Sequence, residues 1–112
     1  MADDCIFCKI IKGDIPSNKV YEDEKCVAFY DVAPAAPVHV LLLPKAHTLN
    51  CTTCDPELMG YLMSRVKVIA EKTGIMDKGF RVVMNTGDDG GQTVKHLHIH
   101  IIGGKALGWP PC

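Results

Sequence analysis

The 112-residue sequence lacks any dominant charge. Twelve Lys and Arg stand against thirteen Asp and Glu, a formal net charge of −1 at pH 7, and no stretch collects one sign. That balance argues against a nucleic-acid backbone or an anionic membrane as the main partner. No apolar run is long enough to span a bilayer, and the opening Met-Ala-Asp-Asp-Cys is acidic. Neither a transmembrane helix nor a signal or transit peptide is therefore expected, and the expected location is the cytoplasm, or the nucleus. Internal repeats, low-complexity segments and linkers are missing too. Residues 1–112 are expected to form one domain. A chain this small buries only about two thirds of its unfolded surface, so a subunit interface would add useful core.

Cysteine is plentiful, with six residues. In a cytosolic chain such a count points to metal binding or free thiols rather than disulfides. Two pairs have ligand spacing, Cys5-x-x-Cys8 and Cys51-x-x-Cys54. Cys26 sits in an apolar run and reads as a small core residue; Cys112 receives no role. A tetrahedral zinc on Cys5 and Cys8 needs two more ligands. Cys51 with Cys54 could supply them, or two histidines such as His47 and His96, and spacing alone does not choose.

The most informative stretch is residues 95–102, Lys-His-Leu-His-Ile-His-Ile-Ile, which holds three of the five histidines. Strict alternation over a β-rich segment predicts a strand with two different faces. His96, His98 and His100 would share one face, and Leu97, Ile99 and Ile101 the other. At about 3.3 Å per residue, neighbouring imidazoles would lie roughly 6.6 Å apart. Folding alone does not call for such a row. It implies a reaction surface, a metal site, or one of each.

Around this row the pattern reads as α+β. Residues 5–12 form a short amphipathic helix stopped at Gly13, and Ile15-Pro16-Ser17 is a turn. Strands are expected over 20–23, 26–30, 38–43 and 79–85, before the histidine strand. The third is almost continuously apolar and is expected at the sheet centre. Asp55-Pro56-Glu57 opens the one long helix, with an apolar stripe of Leu58, Leu62, Val66, Ile69 and Ala70 and a stop at Gly74. The expected architecture is a five-stranded, meander-like antiparallel sheet covered on one face by that helix.

The loop 86–92, Thr-Gly-Asp-Asp-Gly-Gly-Gln, immediately precedes the histidines. Its backbone N–H groups could converge on an anion, with Gln92 and Thr93 as added side-chain donors. Phosphate and imidazole would then meet. Neutral histidine is a nucleophile near pH 7 and can divide a difficult displacement into two easier ones. His98, flanked on both sides, is the natural nucleophile, and His100 a phosphate donor or proton carrier. No catalytic metal is required.

His96-Leu-His98-Ile-His100-Ile-Ile resembles the histidine triad, and the chain is similar nearly end to end to the nucleotide-binding branch of that superfamily. The resemblance includes Ile6-Phe7, Ile15-Pro16, Ala28-Phe29-x-Asp31, Ala35-Ala36-Pro37-x-His39, Pro44-Lys45-x-His47, Gly90-Gly91-Gln92-Thr93-Val94 and Trp109-Pro110-Pro111. It implies a HIT-like fold whose sheets join across a homodimer, with a tail of about residues 103–112 reaching toward the partner's site. His98 matches the nucleophile, and His96 the residue whose carbonyl fixes its tautomer. His100 and His39 match the histidines that contact phosphate and complete the site. Thr93 stands where the family usually has serine. Asp31 matches the ribose-binding acid, and Phe7, Ile10, Val32 and Leu41 the slot for the base. Asn85, Gly91 and Gln92 match the phosphate region, and Trp109 the tail of the nucleotide site. The cysteine-bearing subset implies a structural zinc on Cys5, Cys8, His47 and His96. The implied activity is a purine nucleoside phosphoramidase or nucleotidyl hydrolase acting on conjugates of AMP or GMP. Alternatives are a dinucleoside polyphosphate hydrolase, or a nucleotide-binding scaffold with incidental hydrolysis.

Overall fold

A computed structural model describes residues 4–111. In chain order the elements are α1 (Ile6–Lys12), β1 (Lys19–Glu22), β2 (Cys26–Tyr30), β3 (Val38–Pro44), α2 (Pro56–Thr73), β4 (Phe80–Val83) and β5 (Ile99–Gly103). The architecture is α+β, and β2 has the expected bounds. β4 is shorter than the pattern suggested. Among the described residues no helix is long and apolar enough to cross a membrane.

All strand pairs are antiparallel, in the order β1-β2-β3-β5-β4. β3 is central, as its apolar run implied. The meander holds only for β1 to β3, because β5 inserts between β3 and β4. Burial explains the exchange. Ile99, Ile101 and Gly103 of β5 are buried, which suits an interior position, whereas every residue of β4 is only half-buried, which suits an edge. The expectation of one covered face is also corrected. Leu62, Val66, Ile69 and Ala70 of α2 pack on Ala28, Val40, Leu42 and Ile101. On the opposite face Phe7, Cys8 and Ile10 of α1 pack on Val27, Phe29, Leu41 and Leu43. Cover on both sides is why β2 and β3 read as nearly continuous apolar runs.

The histidine strand is shorter than alternation predicted. β5 starts at Ile99, so His96 and His98 precede the ladder. The N–H of Leu97 instead donates to Thr48 O at 2.7 Å, which holds this approach against another loop. The two-faced character persists: Leu97, Ile99 and Ile101 enter the core beneath α2, while the three imidazoles stay off that cluster. His98 and His100 ring centroids are 5.1 Å apart, closer than an ideal extended strand allows.

Asp23 fastens the β1–β2 turn to α2. Its carboxylate accepts the Tyr21 and Tyr61 hydroxyls and the N–H groups of Lys25 and Cys26. Burial by itself would raise this carboxyl, yet the four hydrogen bonds hold it well below the usual carboxylate range. Cys26 is fully buried, and burial together with Asp23 pushes its thiol up to about 12. It is an inert core residue.

Candidate active site and metal centre

Backbone partners that can play only one role assign the proton on His96, His98 and His39. His96 Nε2 lies 2.8 Å from Pro44 O, a pure acceptor, so Nε2 carries the hydrogen and Nδ1 is a lone pair. That lone pair faces Cys5 Sγ at 3.5 Å, Cys8 Sγ at 3.6 Å and His47 Nδ1 at 3.1 Å. Cys8 Sγ is in turn 3.3 Å from His47 Nδ1. All four ligand atoms lie within 4.8 Å of one another. Zn–S bonds of about 2.3 Å and Zn–N bonds of about 2.0–2.1 Å in a tetrahedron put nitrogens about 3.3 Å apart, and sulfur and nitrogen about 3.6 Å apart. These four distances fit within a few tenths of an ångström. Burial lowers the pKa of His96, keeping it in the neutral form a metal requires, and Pro44 O supplies the outer hydrogen bond that orients a ligating imidazole.

This geometry selects among the ligand sets that spacing left open. Cys51 Sγ contacts Thr86 Oγ1 at 3.3 Å, and Cys54 Sγ donates to Asp55 O at 3.5 Å. Neither joins the four-ligand cluster.

His98 has the opposite tautomer. Its Nδ1 lies 2.8 Å from His96 O, so Nδ1 carries the hydrogen and the Nε2 lone pair is presented. That is the form an attacking imidazole needs. Phe7 packs edge-on to the His98 ring with centroids 5.0 Å apart, limiting its rotation.

His39 and His100 form a directed chain. The Ala35 N–H donates to His39 Nδ1 at 3.0 Å, which places the His39 proton on Nε2. Nε2 then donates to His100 Nδ1 at 2.9 Å, leaving His100 with an Nε2–H donor. The register makes this contact: His39 pairs with Ile102 and Leu41 with His100, so the two histidines are diagonal neighbours on one sheet face. Burial, followed by His98 and His39, depresses the His100 pKa to about 4 against an opposing pull from Asp31. His100 is neutral at pH 7. Asp31 Oδ2 lies 3.5 Å from His39 Nε2, and Asp31 Oδ1 accepts the Ala33 N–H. Asp31, His39 and His100 also cluster closely enough for a metal. A metal on His39 Nε2 would nonetheless require an imidazolate, because Nδ1 is already the acceptor for Ala35. The tautomers of this hydrogen-bonded chain therefore do not suit a second metal centre.

A cavity of about 640 Å³ opens between α1 and the sheet. Phe7, Ile10, Asp31, Val32, Leu41, Thr93, His98 and His100 line it, joining most of the residues expected for base, ribose and phosphate. Ile6, Ile15, Pro16, Ser17, Asn18, Phe29, Tyr30 and Val94 complete the wall and were not anticipated. The turn at Ile15-Pro16-Ser17 carried a usable signal for three of these. Apolar walls with a few polar groups are what a nucleobase-sized ligand requires.

His39 lies behind His100 rather than on the wall. Asn85, Gly91, Gln92 and Trp109 also lie away from it. Asn85 Nδ2 donates to Gly90 O at 2.7 Å. Trp109 is 81% exposed, and Arg81 holds the adjacent Gly108 O at 2.7 Å. Gln92 corrects the expectation of a side-chain donor to phosphate. Its Nε2 donates to Leu49 O and Val94 O, and its Oε1 accepts the Gly87 N–H. Both amide hydrogens are engaged. The anion cradle changes likewise, since the N–H groups of Gly87, Gly91 and Gln92 are bonded within the loop. The loop is a brace, bonded within itself and tied to Leu49 O, that leads into Thr93 on the cavity wall.

Comparison with known proteins agrees with this geometry. The HIT domain model matches residues 12–107. A protein of Zea mays named 14 kDa zinc-binding protein is 46% identical over 111 residues, spanning 95% of this chain and 86% of its own. The crystal structure of a HIT family hydrolase from Legionella pneumophila superposes with a TM-score of 0.93 at 39% identity, covering 97% of this chain and all of that one. A histidine triad nucleotide-binding protein from Candida albicans gives a TM-score of 0.84 at 34% identity, covering 96% and 83%. These matches establish that the chain belongs to the HIT domain family.

Proposed function

We propose that the protein is a nucleoside phosphoramidase, a nucleotidyl hydrolase that cleaves purine nucleoside 5′-monophosphates from an amine. The observation that carries this reading is the fixed tautomer of His98, with Nδ1–H on His96 O and the Nε2 lone pair turned toward a nucleotide-sized cavity. Nε2 attacks the α-phosphorus, the P–N bond to the amine breaks, and a nucleotidyl-His98 forms. The Thr93 hydroxyl on the cavity wall donates a hydrogen bond to the departing nitrogen, which takes a proton from solvent and leaves as the amine. His100, neutral with an Nε2–H donor, bonds a phosphoryl oxygen as charge develops. Water then attacks the same phosphorus and gives up a proton to solvent, the bond to His98 breaks with its electron pair returning to Nε2, and the nucleoside monophosphate leaves. Asp31 holds the ribose, and Phe7, Ile10, Val32 and Leu41 clasp the base.

Cys5, Cys8, His47 and His96 would hold a structural zinc, which supplies cross-linking of the N-terminal helix to the sheet and takes no part in the displacement. The working unit is a cytoplasmic homodimer. The unpaired outer edge of β4 supports joining of two sheets, and the exposed Trp109 supports a tail, residues 103–112, that completes the partner's site. Steady-state turnover of adenosine 5′-phosphoramidate by wild type and by His98→Ala tests the proposal. Release of AMP by the first and not the second is expected. Equal rates would overturn it.

A further inference from the structure

The metal centre and the reacting centre share one residue. His96 gives its ring to the first, with Nδ1 3.5–3.6 Å from two thiols. It gives its backbone carbonyl to the second, accepting the His98 Nδ1–H at 2.8 Å. Ring and carbonyl belong to one residue, so a backbone displacement of His96 on metal loading reaches both the thiols and the His98 Nδ1–H.

A second connection runs through α1. Cys5 is the N-cap, and its Sγ accepts the Cys8 N–H at 3.4 Å, so both thiols belong to the first turn. Phe7 lies between them in sequence and packs edge-on to both His96 and His98, with centroids 6.0 and 5.0 Å apart. Ile6, Phe7 and Ile10 of this helix form one wall of the cavity. Seven residues are too few for a helix to persist on its own propensity, because isolated helices shorter than about 12–15 residues are marginal. Its position depends on what it is tied to, and two of its ties end at the metal centre.

We infer that metal loading of Cys5, Cys8, His47 and His96 positions the His98 nucleophile and closes the α1 wall of the nucleotide cavity, so that metal occupancy and nucleotide affinity are coupled. His96 and Phe7 are positioning residues in this scheme. The inference rests on the reading of His98 and its cavity as a nucleotide site. A purely structural centre makes a different statement: its loss lowers stability without altering the cavity of the molecules that stay folded.

The test compares full-length protein loaded with zinc and stripped by chelator, with AMP as the probe. Calorimetry measures AMP affinity, and nitrogen-15 histidine NMR reads the His98 tautomer. At least tenfold weaker AMP binding in the folded, stripped protein, with the Nδ1–H form of His98 lost and both restored by zinc, is expected. Unchanged affinity and an unchanged tautomer overturn the coupling while leaving the nucleotide reading intact. Failure of the zinc-loaded protein to bind AMP overturns that reading, and the coupling with it. If stripping unfolds the chain, cobalt-loaded wild type decides. AMP must shift its thiolate-to-cobalt absorption, since coupling between sites is reciprocal, and a silent spectrum refutes the coupling.

Discussion

Replacing Gln92 by leucine separates two roles for a residue beside the active site. The side chain is 9% exposed and makes three hydrogen bonds, to the Gly87 N–H, Leu49 O and Val94 O. Leucine keeps much of the volume and removes all three. Each such bond contributes about 0.5–1.5 kcal/mol net, and the stranded backbone groups keep the total from falling below the middle of the resulting range of about 1.5–4.5 kcal/mol. The expected loss is about 3 kcal/mol. At about 4 °C per kcal/mol for a chain of this size, the melting temperature should fall by about 12 °C. Urea and thermal unfolding at fixed, saturating zinc measure it, because a ligand of the native state would otherwise shift the midpoint. A loss below about 0.5 kcal/mol with a raised KM for a nucleotide substrate would refute the reasoning. That pattern belongs to a phosphate donor rather than a brace.

Asp23→Asn keeps the shape of the turn but turns one acceptor into a donor facing the Lys25 and Cys26 N–H groups or the tyrosine hydroxyls. The variant should lose about 2 kcal/mol or more at pH 7, read from urea midpoints. Because the folded carboxyl is held below its ordinary value of about 3.8, the wild-type advantage persists above that pH and shrinks as pH falls further. His100 acts in the same direction over a higher pH window. Its folded value of about 4 lies below the ordinary 6.5, so the unfolded chain binds the proton first. Its contribution is present above pH 6.5 and is lost as pH falls toward 4. NMR titration should show the His100 ring changing near pH 4, and a midpoint near 6.5 would contradict its burial beside His98 and His39. Finally, Cys8→Ser should abolish the zinc bound per chain in metal analysis, while Cys51→Ser should leave it unchanged.

The sequence announced its site through residue types that folding does not demand. The histidine row and the Cys5-x-x-Cys8 pair each correspond to a real cluster, and alternation correctly assigned Leu97, Ile99 and Ile101 to the core. The start of β5 was not legible. Period 2 continues through His96 and His98, but the Leu97 N–H answers to Thr48 on a distant loop. The place of β5 between β3 and β4 was hidden for a similar reason, since strand order depends on burial along both faces. Gln92 shows the general difficulty at loops. Its amide suits a phosphate and a backbone brace equally well, and only the position of Leu49 O decides between them. The choice of His47 and His96 over Cys51 and Cys54 likewise depends on chain segments brought together from about forty residues apart or more.

The central claim is that His98 forms a covalent bond to phosphorus. The most direct measurement is intact-protein mass spectrometry of wild type and His98→Ala, quenched during turnover of an adenosine phosphoramidate. The account predicts an adenylyl adduct on the wild type, mapped to His98 by fragmentation, and none on the variant. Turnover by the wild type with no adduct at His98, or turnover that persists in the variant, would contradict it.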